Sequence, residues 1–260
     1  MNGRRIAVAG KGGAGKTTIS ATLARLTARQ GRRVIVIDGD SNPNVAIALG
    51  VSRERATELA PLPTALVSRR LHGPGLVSSV SDVVSEHGIA AADGVTVLLM
   101  ALPAHADEGC LCSAHATVSA LLADARDEAG TVTIVDLEAS PEHLSRGTTR
   151  HVDALLLIVE PYFRSFETAR RMAELAAELP IPQVCVVANK LRRPDDAEAI
   201  SEFCRRHDLN LVSLLPWSDA VLDADAAGIP LLDLAPDDPM VAGVADLGDY
   251  LFGAALPVGH

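Results

Sequence analysis

The chain has 260 residues, 48% of them apolar and only 3% aromatic, with a formal net charge of −10. That acidity, with no stretch concentrating Lys and Arg, argues against nonspecific nucleic-acid binding, which draws on displaced counterions and needs a basic surface. A core limited to Val, Leu, Ile and Ala is the mixture used by parallel strands covered with helices, so one doubly wound α/β domain spanning 1–260 is expected.

At the start, MNGRRIAVAGKGG places only Ile6 to Gly10 between Arg5 and the polar Lys11. That stretch is too short for a signal peptide and reads as a first strand. The longest apolar run, Ala154 to Val159, falls far below the roughly 20 residues of a membrane span. A cytoplasmic protein without a membrane partner is expected, and four cysteines in a reducing compartment point to core packing, metal binding or redox work.

Short β-branched runs recur as RRIAVAG, RRVIVID, GVTVLLMA, TVTIVDL, ALLLIVE, QVCVVANK and LVSLLP. Helical patterns lie between most of them, at Lys16 to Gln30, Ala114 to Glu128, Ser165 to Glu178, Asp195 to His207 and Met240 to Phe252. Such alternation predicts a mainly parallel sheet of about seven or eight strands, with right-handed crossovers and helices on both faces. Ligands then sit at the carboxyl ends of the strands. From Ser52 to Asp93, proline, glycine and serine interrupt the pattern, and short helices with a mobile segment are expected.

Gly10-Lys11-Gly12-Gly13-Ala14-Gly15-Lys16-Thr17 follows a strand and opens a helix, the setting a phosphate loop requires. The N–H groups of Gly12, Gly13, Ala14 and Gly15, continuing to Thr18, can turn toward phosphates. Lys16 is expected to neutralise the β and γ oxygens of a nucleotide, and the Thr17 hydroxyl to ligate Mg²⁺. Lys11, a second lysine within the loop, resembles the deviant Walker A signature KGG-x-GK-[ST] of the ParA, MinD, nitrogenase iron protein and CooC group. The resemblance implies a homodimer formed with ATP, in which Lys11 reaches the neighbouring subunit's nucleotide. A cation supplied in trans offsets charge in phosphoryl transfer as an arginine finger does.

Three strand ends carry further polar groups. Val36-Ile37-Asp38-Gly39-Asp40 resembles the D-x-D of that group, which implies that Asp40 orients the attacking water and Asp38 supports the magnesium shell. One of the two could instead cap the helix beginning near Asn42. Asp136, ending Thr131 to Asp136, is placed as the Walker B carboxylate behind a magnesium-bound water, and Leu137 to Thr148 as a switch that senses the γ-phosphate. The Asn189 amide can donate and accept against an adenine edge, with the loop after Leu215-Pro216 covering the other side of the base.

Cys110-Leu111-Cys112 is too tight for an ordinary disulfide and offers two thiolates. Two copies across a dimer axis would supply four, a set suited to Zn²⁺, Ni²⁺ or Cu⁺. This run, with Val135-Asp136-x-Glu138-Ala139, Glu142-His143-Leu144-x-Arg146-Gly147-Thr148 and Ala224 to Pro230, resembles the CooC family of accessory ATPases for nickel carbon monoxide dehydrogenase. The resemblance covers nearly the whole chain. It implies that Cys110 and Cys112 bind a metal, nickel or zinc, in the dimer, and that a carbon monoxide dehydrogenase-like enzyme is the client. Ser140-Pro141, and Ala101-Leu102 before Pro103, depart from the pattern. His115 is expected to face solvent at a helix start, with a metal-ligand role as the alternative. Cys185 and Cys204 are expected in the core.

Two other function classes are weighed. An iron-sulfur reductase resembling the nitrogenase iron protein needs a second cysteine beyond the Walker B region, and none lies between Cys112 and Cys185. A MinD-like positioning ATPase ends in a basic amphipathic helix, whereas Asp246 to His260 contains no lysine or arginine.

Overall fold

The computed structural model describes residues 3–70, 73–100, 112–138, 144 and 148–253, with backbone alone at 68–70, 73–74 and 112. Its strands are β1 (Arg4–Gly10), β2 (Arg33–Gly39), β3 (Val67–Arg70), β4 (Gly73–Leu76), β5 (Ile89–Ala90), β6 (Thr96–Leu99), β7 (Thr131–Leu137), β8 (Ala154–Val159), β9 (Gln183–Leu191) and β10 (Asn210–Pro216). Eight of these form one sheet in the order β10-β9-β8-β1-β7-β2-β6-β5, and β3-β4 make a separate antiparallel ribbon. Every pairing in the large sheet is parallel except β5 with β6.

Strand alternation sorts the apolar side chains into two cores. Ile6 and Val8 of β1, with Val34 and Val36 of β2, face one layer, while Ala7, Ala9, Ile35 and Ile37 face the other. The first layer holds α1 (Lys16–Arg29), α2 (Val45–Ala48) and, after α3 (Arg53–Ala56), the later helices α8 (Asp219–Ala227), α9 (Leu231–Leu234) and α10 (Pro239–Phe252). The second holds α4 (Val80–His87), α5 (Cys112–Asp124), α6 (Phe163–Ala177) and α7 (Pro194–Arg206). Both faces are covered, which is why the strand sequences read as continuous apolar runs.

The region from Ser52 to Asp93 holds more regular structure than its composition predicts. It carries the β3-β4 ribbon, the edge strand β5, and α4, whose Ser79 Oγ accepts from the Asp82 N–H at 3.1 Å as an N-cap. The ribbon runs through Gly73-Pro74-Gly75, where no alternation signals a strand. Helices α8 and α9 also go beyond the sequence expectation. Arg25 on α1 ties this layer together: buried, it donates Nε to Asp93 at 2.6 Å and both terminal nitrogens to Asp233 at 2.7 Å. The bidentate bond fixes α9 against α1. No helix among the described residues is long and apolar enough to cross a membrane.

Candidate nucleotide site

The centre of the sheet dictates where the site forms. β1 lies between β7 and β8, so the loop leaving Gly10 emerges beside Asp136 and Ile158. Gly10 has φ +151°, and a Cβ there would lie 2.5 Å from the Ile158 carbonyl oxygen. Only glycine lets β1 run this close to its neighbour and turn into the loop. Gly13 and Gly15 also hold positive φ, 78° and 96°. A Cβ on Gly15 would meet Asn189 Nδ2 at 2.4 Å.

Lys16 opens α1 and is buried, its Nζ 3.4 Å from the Lys11 carbonyl. Burial lowers its pKa, opposed by the charges of Asp136, Asp40 and Glu138. Thr17 Oγ1 donates to Asp136 Oδ2 at 2.6 Å, and Ser20 Oγ donates to Oδ1 at 3.1 Å. Hydroxyl and carboxylate thus meet where a cation between loop and Walker B strand would be held. Burial pushes the Asp136 carboxyl up to about 6 despite Thr17, Lys16 and Ser20, which favour its charged form.

Asp38 is the register partner of Asp136 on the adjacent strand. Its Oδ2 accepts from the Val45 N–H at 2.9 Å and its Oδ1 from the Asp40 N–H at 3.2 Å. The capping alternative therefore falls on Asp38: the carboxylate satisfies the first residue of α2, which begins at Val45 rather than near Asn42. Burial foremost pushes its carboxyl to about 7, with the neighbouring Asp136 adding to it. Asp40 lies beyond the strand end, partly exposed, with Oδ1 accepting from the Asn42 N–H at 2.9 Å. Ser41 Oγ donates to Glu138 Oε1 at 3.0 Å, joining the loops after β2 and β7.

Asn189 makes a contact that the sequence does not reveal. Buried near the end of β9, it donates one Nδ2 hydrogen to the Ala14 carbonyl at 2.7 Å, bracing the phosphate loop. Lys190 does the same one residue on, donating Nζ to the Gly13 carbonyl and pairing with Glu160 Oε1 at 3.0 Å. Pro216 ends β10; next to it the Arg192 guanidinium stacks on the Trp217 ring at 3.4 Å. A cavity of about 810 Å³ runs from Thr17 and Thr18 past Thr22 and Ile47 to Val221 and Ile229. Helices α8 and α9 therefore wall one side of a pocket that opens at the start of α1.

The thiol site is described only in part. Cys110 lies outside the described residues, as does most of the segment from Ala139 to Gly147, and Cys112 begins α5. His115 is buried, contrary to expectation, with Nδ1 2.8 Å from Thr148 Oγ1. Thr148 stands 33 residues away in sequence, so no local pattern reveals the bond. Cys185 and Cys204 are buried free thiols, as expected, with pKa raised by burial. Among the described residues no group of three or more His, Cys, Asp or Glu is arranged to hold a metal alone. A magnesium ion held with phosphates and waters needs fewer protein ligands, and Thr17 with Asp136 fits that mode.

Fold and site together define a nucleotide-binding protein of the P-loop NTPase fold, of the deviant Walker A kind. The sequence matches the CobQ/CobB/MinD/ParA nucleotide binding domain family over residues 6–231, and the chain belongs to that family, within its CooC-type accessory branch. It is 37% identical over 241 residues to the carbon monoxide dehydrogenase accessory protein CooC of Rhodospirillum rubrum, covering 89% of this chain and 90% of that one. An uncharacterized ATP-binding protein of Methanocaldococcus jannaschii is 33% identical, over 87% of this chain and 90% of its own. The fold is shared with MinD of Pyrococcus horikoshii solved with Mg-ADP, at a TM-score of 0.72, 17% identity and 96% coverage of both chains.

Proposed function

We propose that this protein hydrolyses Mg-ATP between two copies of itself and uses the cycle to load a metal, with nickel as cargo, into a carbon monoxide dehydrogenase-like enzyme. The observation that carries the ATPase half is the 2.6 Å bond between Thr17 and Asp136 at the mouth of the phosphate loop. It joins the two groups expected on a nucleotide-bound cation, beside the buried Lys16. Magnesium, when bound, offsets charge on the β and γ oxygens.

The chain's own residues divide the remaining work. N–H groups from Gly12 to Thr18 cradle the phosphates, and Lys16 sits against the β and γ oxygens. Asp40, partly exposed at the strand end, orients the water for in-line attack. Asp38 fixes Asp40 through the Asp40 N–H and adds to the cation site from the next strand. Lys11 supplies charge to the partner's nucleotide. The nucleoside lies beside Thr18, with Asn189 on one side of the base and the segment after Pro216 on the other.

The metal half is supported by the similarity to CooC and by the Cys110-x-Cys112 pair of the sequence, whose second member begins α5. Two protomers would then present four thiolates to one ion, a soft donor set for nickel or zinc. Metal titration of the wild-type protein with a non-hydrolysable ATP analogue should give one ion per dimer, and Cys110→Ser or Cys112→Ser should abolish it. Undiminished stoichiometric binding in both variants removes the metal-loading reading and leaves an ATPase.

A further inference from the structure

The chain contains three lysines against twenty arginines. All three, Lys11, Lys16 and Lys190, lie on or against the phosphate loop. A compact ammonium on a flexible stem does something at these positions that the chain's usual cation does not. Lys16 and Lys190 have partners described above. Lys11 Nζ lies over the ring of Tyr162, 5.6 Å from its centroid, within the range at which a cation is drawn to an aromatic face.

Tyr162 is held for this contact. Its hydroxyl donates to Glu160 Oε2 at 2.7 Å, while Glu160 Oε1 pairs with Lys190, whose Nζ donates to the Gly13 carbonyl. The Glu160 backbone N–H in turn donates to Ser165 Oγ in the first turn of α6 at 2.9 Å. The network closes a ring from Lys11 through Tyr162, Glu160 and Lys190 back to Gly13, two residues from where it began. Burial and Glu160 raise the Tyr162 phenol to about 12, so it stays a neutral donor at physiological pH.

We infer that Tyr162 is a positioning residue for Lys11: its ring is the seat on which the ammonium rests within a single protomer, and the nucleotide of a second copy draws the lysine away. The second half rests on the proposed trans role of Lys11. The seat restrains a flexible lysine that must act elsewhere, and it competes with dimer formation. Because dimerisation empties two such seats, exposed cation–π contacts are of a size to shift the protein concentration for ATP-dependent dimerisation by about five- to thirtyfold.

Three lysines make the test direct. In protein labelled with ¹³C-lysine, the ε-methylene signals are resolved by NMR, Lys11 being assigned from Lys11→Arg. Lys11 should be shifted upfield by the ring current in the nucleotide-free wild type and in Tyr162→Phe, which keeps the ring. It should take the position of a solvated lysine in Tyr162→Leu, and in the wild type with a non-hydrolysable ATP analogue. Sedimentation should show Tyr162→Leu dimerising at a concentration about five- to thirtyfold lower than wild type. Equal Lys11 shifts in wild type and Tyr162→Leu overturn the seat. A shift that survives in analogue-bound dimers overturns the release. If the analogue yields no dimer, the trans reading fails, while the nucleotide-free spectra still decide whether the seat exists.

Discussion

Asp38 and Asp136 are register partners on adjacent parallel strands, both buried, with carboxyls raised to about 7 and about 6. Two buried acids side by side resist ionising together until a cation arrives. A carboxyl whose folded pKa lies above its unfolded value stabilises the fold fully below the unfolded value, near 4. That contribution is lost as pH rises through the folded value. For Asp38 the window runs from about 4 to about 7. Asp38→Asn removes the titration but also loses an acceptor for Val45 or Asp40. Its stability relative to wild type should therefore start low at pH 4.5 and improve toward pH 7.5, at up to about 1.4 kcal/mol per pH unit. Urea denaturation of the nucleotide-free protein at the two pH values measures this. A difference that stays flat shows that Asp38 is ionised throughout.

The two loop glycines should separate stability from binding. Gly10→Ala directs a methyl at the backbone oxygen of Ile158, which cannot swing aside, and should cost about 2 kcal/mol or more. Gly15→Ala is also strained, by about 1–2 kcal/mol, at φ 96°, but its methyl meets a side chain that can move: it displaces Asn189 and breaks the bond to Ala14. The fold should largely persist while ATP affinity falls about tenfold, since the loop N–H groups lose their brace. Thermal melts and nucleotide titration of both variants distinguish the two costs. Equal losses in both measurements would contradict the distinction.

Much of this arrangement was legible because it is local. The central strands announce themselves as apolar runs because they are buried on both faces, the edge strand β10 keeps an apolar run though only Leu215 in it is buried, and the phosphate loop carries its own spacing. Strand β5 has two residues and no period to read. Helix α8, with aspartates at 219, 223 and 225 and little apolar contrast between its faces, is held by tertiary packing of Ala224 in the layer that contains Leu231 and Leu232 of α9. Asn189 shows the same limit within the site. Its position at a strand end is readable, but the carbonyl it holds lies 175 residues earlier. His115 reads as a solvent-facing helix-start residue, yet it is buried and bonded to Thr148, 33 residues on.

Lys190 holds a left-handed backbone, φ 63°, uncommon outside glycine. At that position its ammonium meets both Glu160 and the Gly13 carbonyl. Lys190→Met keeps the stem and removes the charge. Because the lysine acts on the loop and not on the base, KM for ATP should rise about five- to tenfold while the preference for ATP over GTP stays unchanged. Steady-state kinetics with both nucleotides test this. A changed preference would place Lys190 in base recognition.

The trans role of Lys11 has a test that needs no structure of the dimer. Lys11→Gln should lower kcat by about 10³-fold, as removal of an arginine finger does, and Asp40→Asn should be comparably inactive through loss of water orientation. If Lys11 serves the neighbouring nucleotide, a mixed dimer has one complete site. The Lys11→Gln protomer keeps its own Asp40 and receives an intact Lys11 from the Asp40→Asn protomer. Random pairing at equal concentrations makes half the dimers mixed, each with one working site of two, so the mixture should recover about a quarter of wild-type activity. If Lys11 serves its own nucleotide, neither site in any dimer is complete and mixing restores nothing. Phosphate release measured across mixing ratios should peak at equal proportions under the trans arrangement, whereas a flat baseline assigns the lysine to its own subunit.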